Sequence, residues 1–196
     1  KFGLTDEESR KRPFLASMGI YVFNYERLIE FLKEDETRVD FGKEIIPEMY
    51  PRMKVHAYDF AENTIPGEQE HNRGYWRDVG TIDAYYDAHM DLVSVDPVFN
   101  LYNMEWPILS WHDPLPPAKF VFDDPDRRGC AIDSMVSGGC IISGSRVADS
   151  LLFSSVRVHD YTTIDRSVIL LADHSAEEGA FGLILNHPTG HSVGDF

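Results

Sequence analysis

Hydrophobic positions follow three different rhythms along this chain of 196 residues. Up to about residue 113, short apolar runs alternate with amphipathic helical stripes. Residues 15–23 are apolar and rich in strand formers, which predicts a buried strand. Within it Ser17 and Gly19 are small enough for a ligand to approach the backbone. Asn24 then predicts a cap for a helix over 25–34, with Leu28, Phe31 and Leu32 as its apolar stripe. Residues 39–47 read as a loop entering a short helix that Pro47 ends, with Asp40 available as N-cap. Residues 55–60 alternate like a strand, and the polar stretch 62–74 reads as a mobile loop. A helix starting at Thr81 is expected to bury Ile82, Tyr85, Tyr86 and Met90. Residues 101–111 are aromatic and irregular, and Pro114, Pro116 and Pro117 mark a domain boundary.

Beyond the prolines the period becomes six. Leu152, Val158, Ile164 and Leu170 form one series, Ile141, Val147 and Phe153 a second, and Val136 and Ile142 a third. That spacing predicts a left-handed parallel β-helix in which three hexapeptides make one triangular coil, with about two coils between Ser134 and Leu170. The third rhythm belongs to a hairpin: strand 167–172, an acidic turn over 173–179, and strand 180–185. The resulting division is 1–113, 114–170 and 171–196. The charged opening, 5–13, reads as a loop cut from something longer.

Charge narrows the function classes. Lys and Arg number 18 against 33 Asp and Glu, a net charge of −15, which excludes a phosphate backbone as the natural partner. Cys130 and Cys140 form no Cys-x-x-Cys and suggest no disulfide framework, as expected for a reducing, cytoplasmic setting. No apolar run is long enough for a membrane span.

The chemistry concentrates in few places. There is no standard Gly-rich phosphate loop, no His-Glu-x-x-His and no nucleophile elbow. His187 and His191 are four apart, but Pro188 and Gly190 between them rule out a helical metal pair. The stretch Tyr75-Trp76-Arg77-Asp78-Val79-Gly80-Thr81 crowds a Trp, an Arg and an Asp just before a helix start. Asp78 could ligate Mg²⁺ together with substrate phosphates, or simply cap or pair with Arg77. Asp40 could likewise accept from a sugar hydroxyl or only cap its helix.

Five ordered motifs carry a resemblance. They are Leu15-Ala16-Ser17-Met18-Gly19-Ile20-Tyr21-Val22-Phe23, Asp40-Phe41-Gly42-Lys43, the Tyr75–Thr81 stretch, Pro116-Pro117-Ala118-Lys119-Phe120 and Val136-Ser137-Gly138-Gly139-Cys140-Ile141-Ile142-Ser143-Gly144. Together they resemble the bacterial glucose-1-phosphate adenylyltransferases, the ADP-glucose pyrophosphorylases of glycogen synthesis, over roughly residues 10–169. The resemblance implies an α/β fold: part of a Rossmann-like nucleotidyltransferase domain followed by a short left-handed parallel β-helix. It implies ATP and glucose 1-phosphate as substrates and Mg²⁺ as cofactor. By motif, Ser17 and Tyr21 resemble glucose 1-phosphate contacts, Asp40 and Phe41 sugar-side contacts, and Trp76 a wall of the sugar pocket. Asp78 resembles one of two aspartates that hold the catalytic metal.

The family's Gly-rich nucleotide loop, first metal aspartate, base-binding residues and Glu-Lys-Pro segment have no counterpart in this sequence. Little or no activity is therefore expected of the chain alone. The alternative expectation is a non-catalytic β-helix assembly module that self-associates. From about Arg166 the text changes. Arg166-Ser167-Val168-Ile169-Leu170-Leu171-Ala172-Asp173-His174-Ser175 and Glu178-Gly179-Ala180-Phe181-Gly182-Leu183-Ile184-Leu185-Asn186-His187-Pro188 resemble the N-terminal part of the AlgH-type family.

Overall fold

The computed structural model describes residues 6–11, 17–175 and 179–186. Internal contacts divide the chain into two units, one ending at Phe60 and the other starting at Ala61.

In the first unit, the expected opening loop contains helix α1 (Asp6–Lys11), whose Glu7 and Lys11 pair at 3.0 Å. Residues 17–23 are extended but belong to no sheet, and Val22 is 98% exposed. A strand becomes buried only when neighbours hydrogen-bond its edges, and none does so among the described residues. Leu15 and Ala16 lie outside them. Helix α2 (Tyr25–Glu34) forms as expected, its Arg27 N–H donating to the Asn24 side chain at 3.1 Å.

Phe31 on α2 is fully buried with Ile45 and Met49, while Leu32 and Phe23 pack around them. The guanidinium groups of Arg38 and Arg52 lie over the Phe31 ring at 4.4 and 5.1 Å, and each also binds an acid: Arg38 with Glu48, Arg52 with Glu34. These cations cover the core without losing their ion pairs. A π-helical turn, Phe41–Ile45, runs into α3 (Ile46–Met49). Pro47 sits in the first turn of α3 rather than ending it, because a missing N–H is harmless there. Residues 55–60, expected as a strand, form none, and Phe60 opens a 3-10 turn (Phe60–Glu62).

In the second unit the polar stretch 62–74 is tied down rather than loose. Asn103 donates to the Pro66 carbonyl at 2.8 Å, and Tyr75 stacks on Phe99 at 4.9 Å. Thr81 caps α4 (Ile82–Val93), accepting from Ala84 N–H at 3.2 Å. Ile82, expected inside, is 71% exposed in the first turn, whereas Tyr85, Tyr86 and Met90 are half-buried. The Tyr86 hydroxyl donates to the Arg166 carbonyl at 2.9 Å, and the His89 ring meets Phe153 at 5.6 Å.

The rest of the unit is a parallel β-helix. One face stacks β1 (Lys119–Val121), β6 (Ile141–Ser143) and β9 (Arg157–Val158). A second stacks β4 (Cys130–Ile132), β7 (Arg146–Ala148) and β10 (Thr163–Asp165). The third stacks β5 (Met135–Val136), β8 (Leu151–Leu152) and β11 (Ser167–Ser175). Between β1 and β4 an excursion forms the two-stranded ladder β2 (Asp123–Asp124) and β3 (Arg127–Arg128). Cys140, Ile142, Val147, Leu152, Val156 and Val158 fill the interior.

The coil is shorter than three hexapeptides. Ile142 pairs with Val158, 16 residues on, and Val147 with Ile164, 17 on. The reason lies at the corners, where left-handed residues stack: Asp133, Asp149 and Arg166 at one, Gly139 and Ser155 at another, Gly144 and Tyr161 at the third. These tight turns remove one or two residues per coil, so a strict period of six drifts out of register. Ile169, not Leu170, lies against Leu152, and the second series holds only at Val147. Between Ser134 and Leu170 the strands make about two coils, as expected; β1 and β4 add a rung ahead of them that the excursion at 122–129 hides from a period search.

The tail forms the expected hairpin with longer strands. β12 (Gly179–Asn186) runs antiparallel to β11, with an irregularity between Leu171 and Asp173. No helix among the described residues is long and apolar enough to cross a membrane.

Candidate functional site

The six residues singled out by sequence divide between the two units. Ser17, Tyr21, Asp40 and Phe41 lie in the first; Trp76 and Asp78 lie in the second.

The first group is a connected cluster. The Ser17 and Tyr21 hydroxyls are 3.0 Å apart, and Ser17 Oγ also accepts the Gly19 N–H at 3.2 Å. Gly19 has φ +73°, a turn open to glycine that lets the chain fold Ser17 back toward Tyr21. Tyr21 stacks on Phe41 with centroids 5.9 Å apart and planes 19° from parallel, and Phe23 closes the trio at 6.1 and 5.7 Å. A hydroxyl pair beside an aromatic face suits a hydroxyl-rich, partly apolar ligand such as a sugar.

Asp40 fulfils the capping reading of its sequence context. Its Oδ1 accepts the Lys43 N–H at 2.8 Å, capping the π-helical turn, while Oδ2 faces the Lys43 ammonium at 3.8 Å. The Lys43 N–H bond is the main cause that holds its carboxyl below the usual 3.8, so it is an anion at neutral pH. Glu44, not singled out by sequence, reaches back across the turn. Its Oε2 accepts the Val39 N–H at 2.8 Å and the Asp40 N–H at 3.0 Å, and these two bonds lower its pKa from 4.5. The available signal was an acid four residues after a candidate cap.

In the second group Trp76 is 45% exposed. Asp78 Oδ1 accepts the Gly80 N–H at 2.9 Å, a local turn that positions the carboxylate just ahead of α4. Arg77 does not pair with it. Its guanidinium instead meets Asp91 on α4 at 3.8 Å and lies 5.8 Å from the Tyr75 ring centroid. The pairing of Asp78 with Arg77 weighed from sequence is therefore absent, and Thr81 is the helix cap.

Among the described residues no three His, Cys, Asp or Glu side chains gather into a metal-binding group. Asp78 alone offers a single exposed carboxylate with one oxygen already engaged. That is too little for a resident Mg²⁺ centre, which needs oxygen ligands on several sides. His187 and His191 lie outside the described residues. Cys140 is buried, donates to the Phe153 carbonyl at 3.1 Å and has its thiol pushed up by burial, as a core residue would.

Comparison with known proteins matches residues 8–95 to the nucleotidyl transferase family and residues 116–179 to the GlmU-like C-terminal hexapeptide family. The chain is 53% identical over 160 residues to the glucose-1-phosphate adenylyltransferase of Dechloromonas aromatica, covering 80% of this chain and 36% of that enzyme. Against the enzyme of the same name from Shewanella oneidensis it is 54% identical over 160 residues, with 80% and 37% covered. For that of Anaeromyxobacter dehalogenans the figures are 53% over 156 residues, 76% and 38%. The chain thus spans well under half the length of these relatives. The two family matches end at residue 179, so the AlgH-type likeness of the tail rests on its residues alone.

Proposed function

We infer that this chain, a relative of the glucose-1-phosphate adenylyltransferases over four-fifths of its length, is the sugar-phosphate-binding part of such an enzyme. The observation that carries the reading is the Ser17–Tyr21 hydroxyl pair beside the stacked Tyr21 and Phe41 rings, with the Asp40 carboxylate on the residue next to Phe41. Ser17 and Tyr21 bind glucose 1-phosphate, and Asp40 and Phe41 hold the sugar, while Trp76 in the second unit carries the motif of a sugar-pocket wall. Residues 1–113 make up this part, 114–170 the linker and β-helix, and 171–196 a tail of AlgH-type origin.

The reaction of the whole enzyme joins a phosphate oxygen of glucose 1-phosphate to the α-phosphorus of ATP. The α–β phosphoanhydride bond breaks, pyrophosphate leaves, and ADP-glucose remains. Catalysis of this kind depends on positioning and charge stabilisation. A divalent metal would supply part of that charge, with Asp78 contributing one oxygen to a site completed by other groups.

Titration calorimetry with glucose 1-phosphate tests the reading: saturable binding is expected, and its absence would sink it. With ATP and Mg²⁺ added, no ADP-glucose should form. Turnover by the chain alone would overturn the assignment to a part-site.

A second property, self-association through the β-helix, is favoured by a separate observation. Among the described residues the outer edges of β9 and β10 have no strand beside them, and a groove opens there in which Val158, Ile164, Ile169 and Ile184 lie among polar residues such as His159 and Asp165. Light scattering should find oligomers; a strict monomer would remove this property.

A further inference from the structure

We propose that Glu44 is a positioning residue for the sugar-side contacts, holding Asp40 and Phe41 in their binding geometry through the Val39–Asp40 peptide. The inference rests on the reading of that cluster as the glucose 1-phosphate site.

The backbone around Asp40 is fixed from every side. Its carbonyl accepts two N–H groups, from Glu44 and from Ile45, each at 3.0 Å. The second of these makes the turn a π-helical one, a rare wide turn that recurs at functional sites. The Asp40 side chain is held by Lys43 N–H at 2.8 Å, and its own N–H goes to Glu44 at 3.0 Å. The Val39 N–H, the last donor before the turn, goes to the same Glu44 oxygen at 2.8 Å.

Glu44 therefore satisfies both amides that flank the Val39–Asp40 junction with one carboxylate oxygen. Bonds of this charge-assisted kind are about twice as strong as neutral ones. Without the Glu44 carboxylate, the Val39 and Asp40 N–H groups lose their anchor, and rotation there redirects two things at once. It swings the Asp40 carboxylate, and it tilts Phe41 off the Tyr21 and Phe23 rings. The bond from the Asp40 N–H to Glu44 resembles a capping box, but the Val39 N–H lies ahead of the cap and helix capping does not need it. An acid that binds the amides ahead of the cap fixes the direction in which Asp40 and Phe41 leave the turn.

The full chain and three variants decide the matter, with two measurements on each: amide hydrogen exchange and calorimetric binding of glucose 1-phosphate. In Glu44→Ala, exchange at Val39 and Asp40 should accelerate at least about tenfold, the loss of one charge-assisted hydrogen bond. The Arg27 amide, held by Asn24, should stay unchanged. Glucose 1-phosphate should bind about tenfold more weakly. Glu44→Gln keeps an oxygen that accepts both amides, so binding should return to within about twofold of the unmodified chain. Asp40→Asn keeps the Lys43 bond and the exchange pattern yet should weaken binding about tenfold by removing the charge.

Unchanged exchange at Val39 and Asp40 in Glu44→Ala would overturn the proposal whatever the ligand does. So would unchanged binding in that variant while the unmodified chain binds. Failure of the unmodified chain to bind would instead sink the reading of the cluster as a sugar-phosphate site.

Discussion

Ser134, Ser150 and Ser167 stand one above another at one corner of the β-helix, and their hydroxyls solve a problem that tight corners create. Each turn leaves a backbone N–H that no strand receives. The Ser150 N–H goes to Ser134 Oγ at 3.1 Å, and the Ser167 N–H to Ser150 Oγ at 3.0 Å. Each hydroxyl then donates to a carbonyl of its own coil: Ser134 to Ile132, Ser150 to Ala148, Ser167 to Asp165. Ser145 plays the same part at another corner, accepting the Thr162 N–H at 3.3 Å. Ser150 is fully buried, so Ser150→Ala strands the Ser167 N–H away from water. Destabilisation by about 1–3 kcal/mol is expected, the cost of one buried unsatisfied donor. Urea unfolding should register it, whereas Ser154→Ala, on the surface, should stay within about 0.5 kcal/mol. Equal midpoints for the two variants would refute the ladder.

At the scale of elements, the excursion between β1 and β4 rejoins the coil through Gly129. A Cβ there would lie 2.5 Å from the Val121 carbonyl oxygen and 2.6 Å from that of Ile142. Both are backbone atoms of adjoining rungs and cannot yield separately. Gly129→Ala should therefore cost about 1–3 kcal/mol through overpacking, read as a lowered unfolding midpoint. Asp126→Ala at the exposed tip should cost under about 0.5 kcal/mol. The excursion itself is pinned by Arg127, which lies over Phe122 at 3.7 Å and binds Asp160 at 3.3 Å. These elements also explain what was legible beforehand. Aliphatics near every sixth position reveal a β-helix because its interior is filled mainly by them. The coil length was hidden because it depends on corner conformations, and left-handed Asp133, Asp149, Ser155 and Tyr161 carry no glycine to announce them. Helix α2 was readable from Asn24 and its stripe because both signals are local. The strand expected over 15–23 needs neighbours that a local pattern cannot supply. In the same way Ser17, Tyr21, Asp40 and Phe41 stood out by motif, while Glu44 did not, since its role exists only once the turn has formed.

The whole molecule joins two units with unequal means of resisting acid. In the first, Asp40 and Glu44 both have lowered pKa values, chiefly through backbone N–H bonds that exist only when the π-helical turn is folded. In the second, Asp160 is lowered by the Ser143 hydroxyl and then by Arg127. A carboxylate whose pKa falls on folding contributes stability that is complete above its unfolded value. That stability is lost as pH drops through the folded value. The window therefore opens just below the ordinary values of 3.8 and 4.5 and extends downward from there. Both units lose this contribution, but their cores differ. Among the described residues the core of the first holds Phe31, Ile45 and Met49, whereas the β-helix interior holds the larger cluster of Cys140, Ile142, Val147, Leu152, Val156 and Val158. Apolar burial is indifferent to pH, so the unit with less of it depends more on its carboxylates. Acid should thus unfold the first unit before the β-helix. In an NMR titration from pH 6 downward, the native amide signals of Arg27 and Lys43 should vanish while those of Ile142 and Val158 persist. Loss of all four at one pH would mean that the two units unfold together and that the carboxylates of the π-helical turn do not set the acid limit of the first.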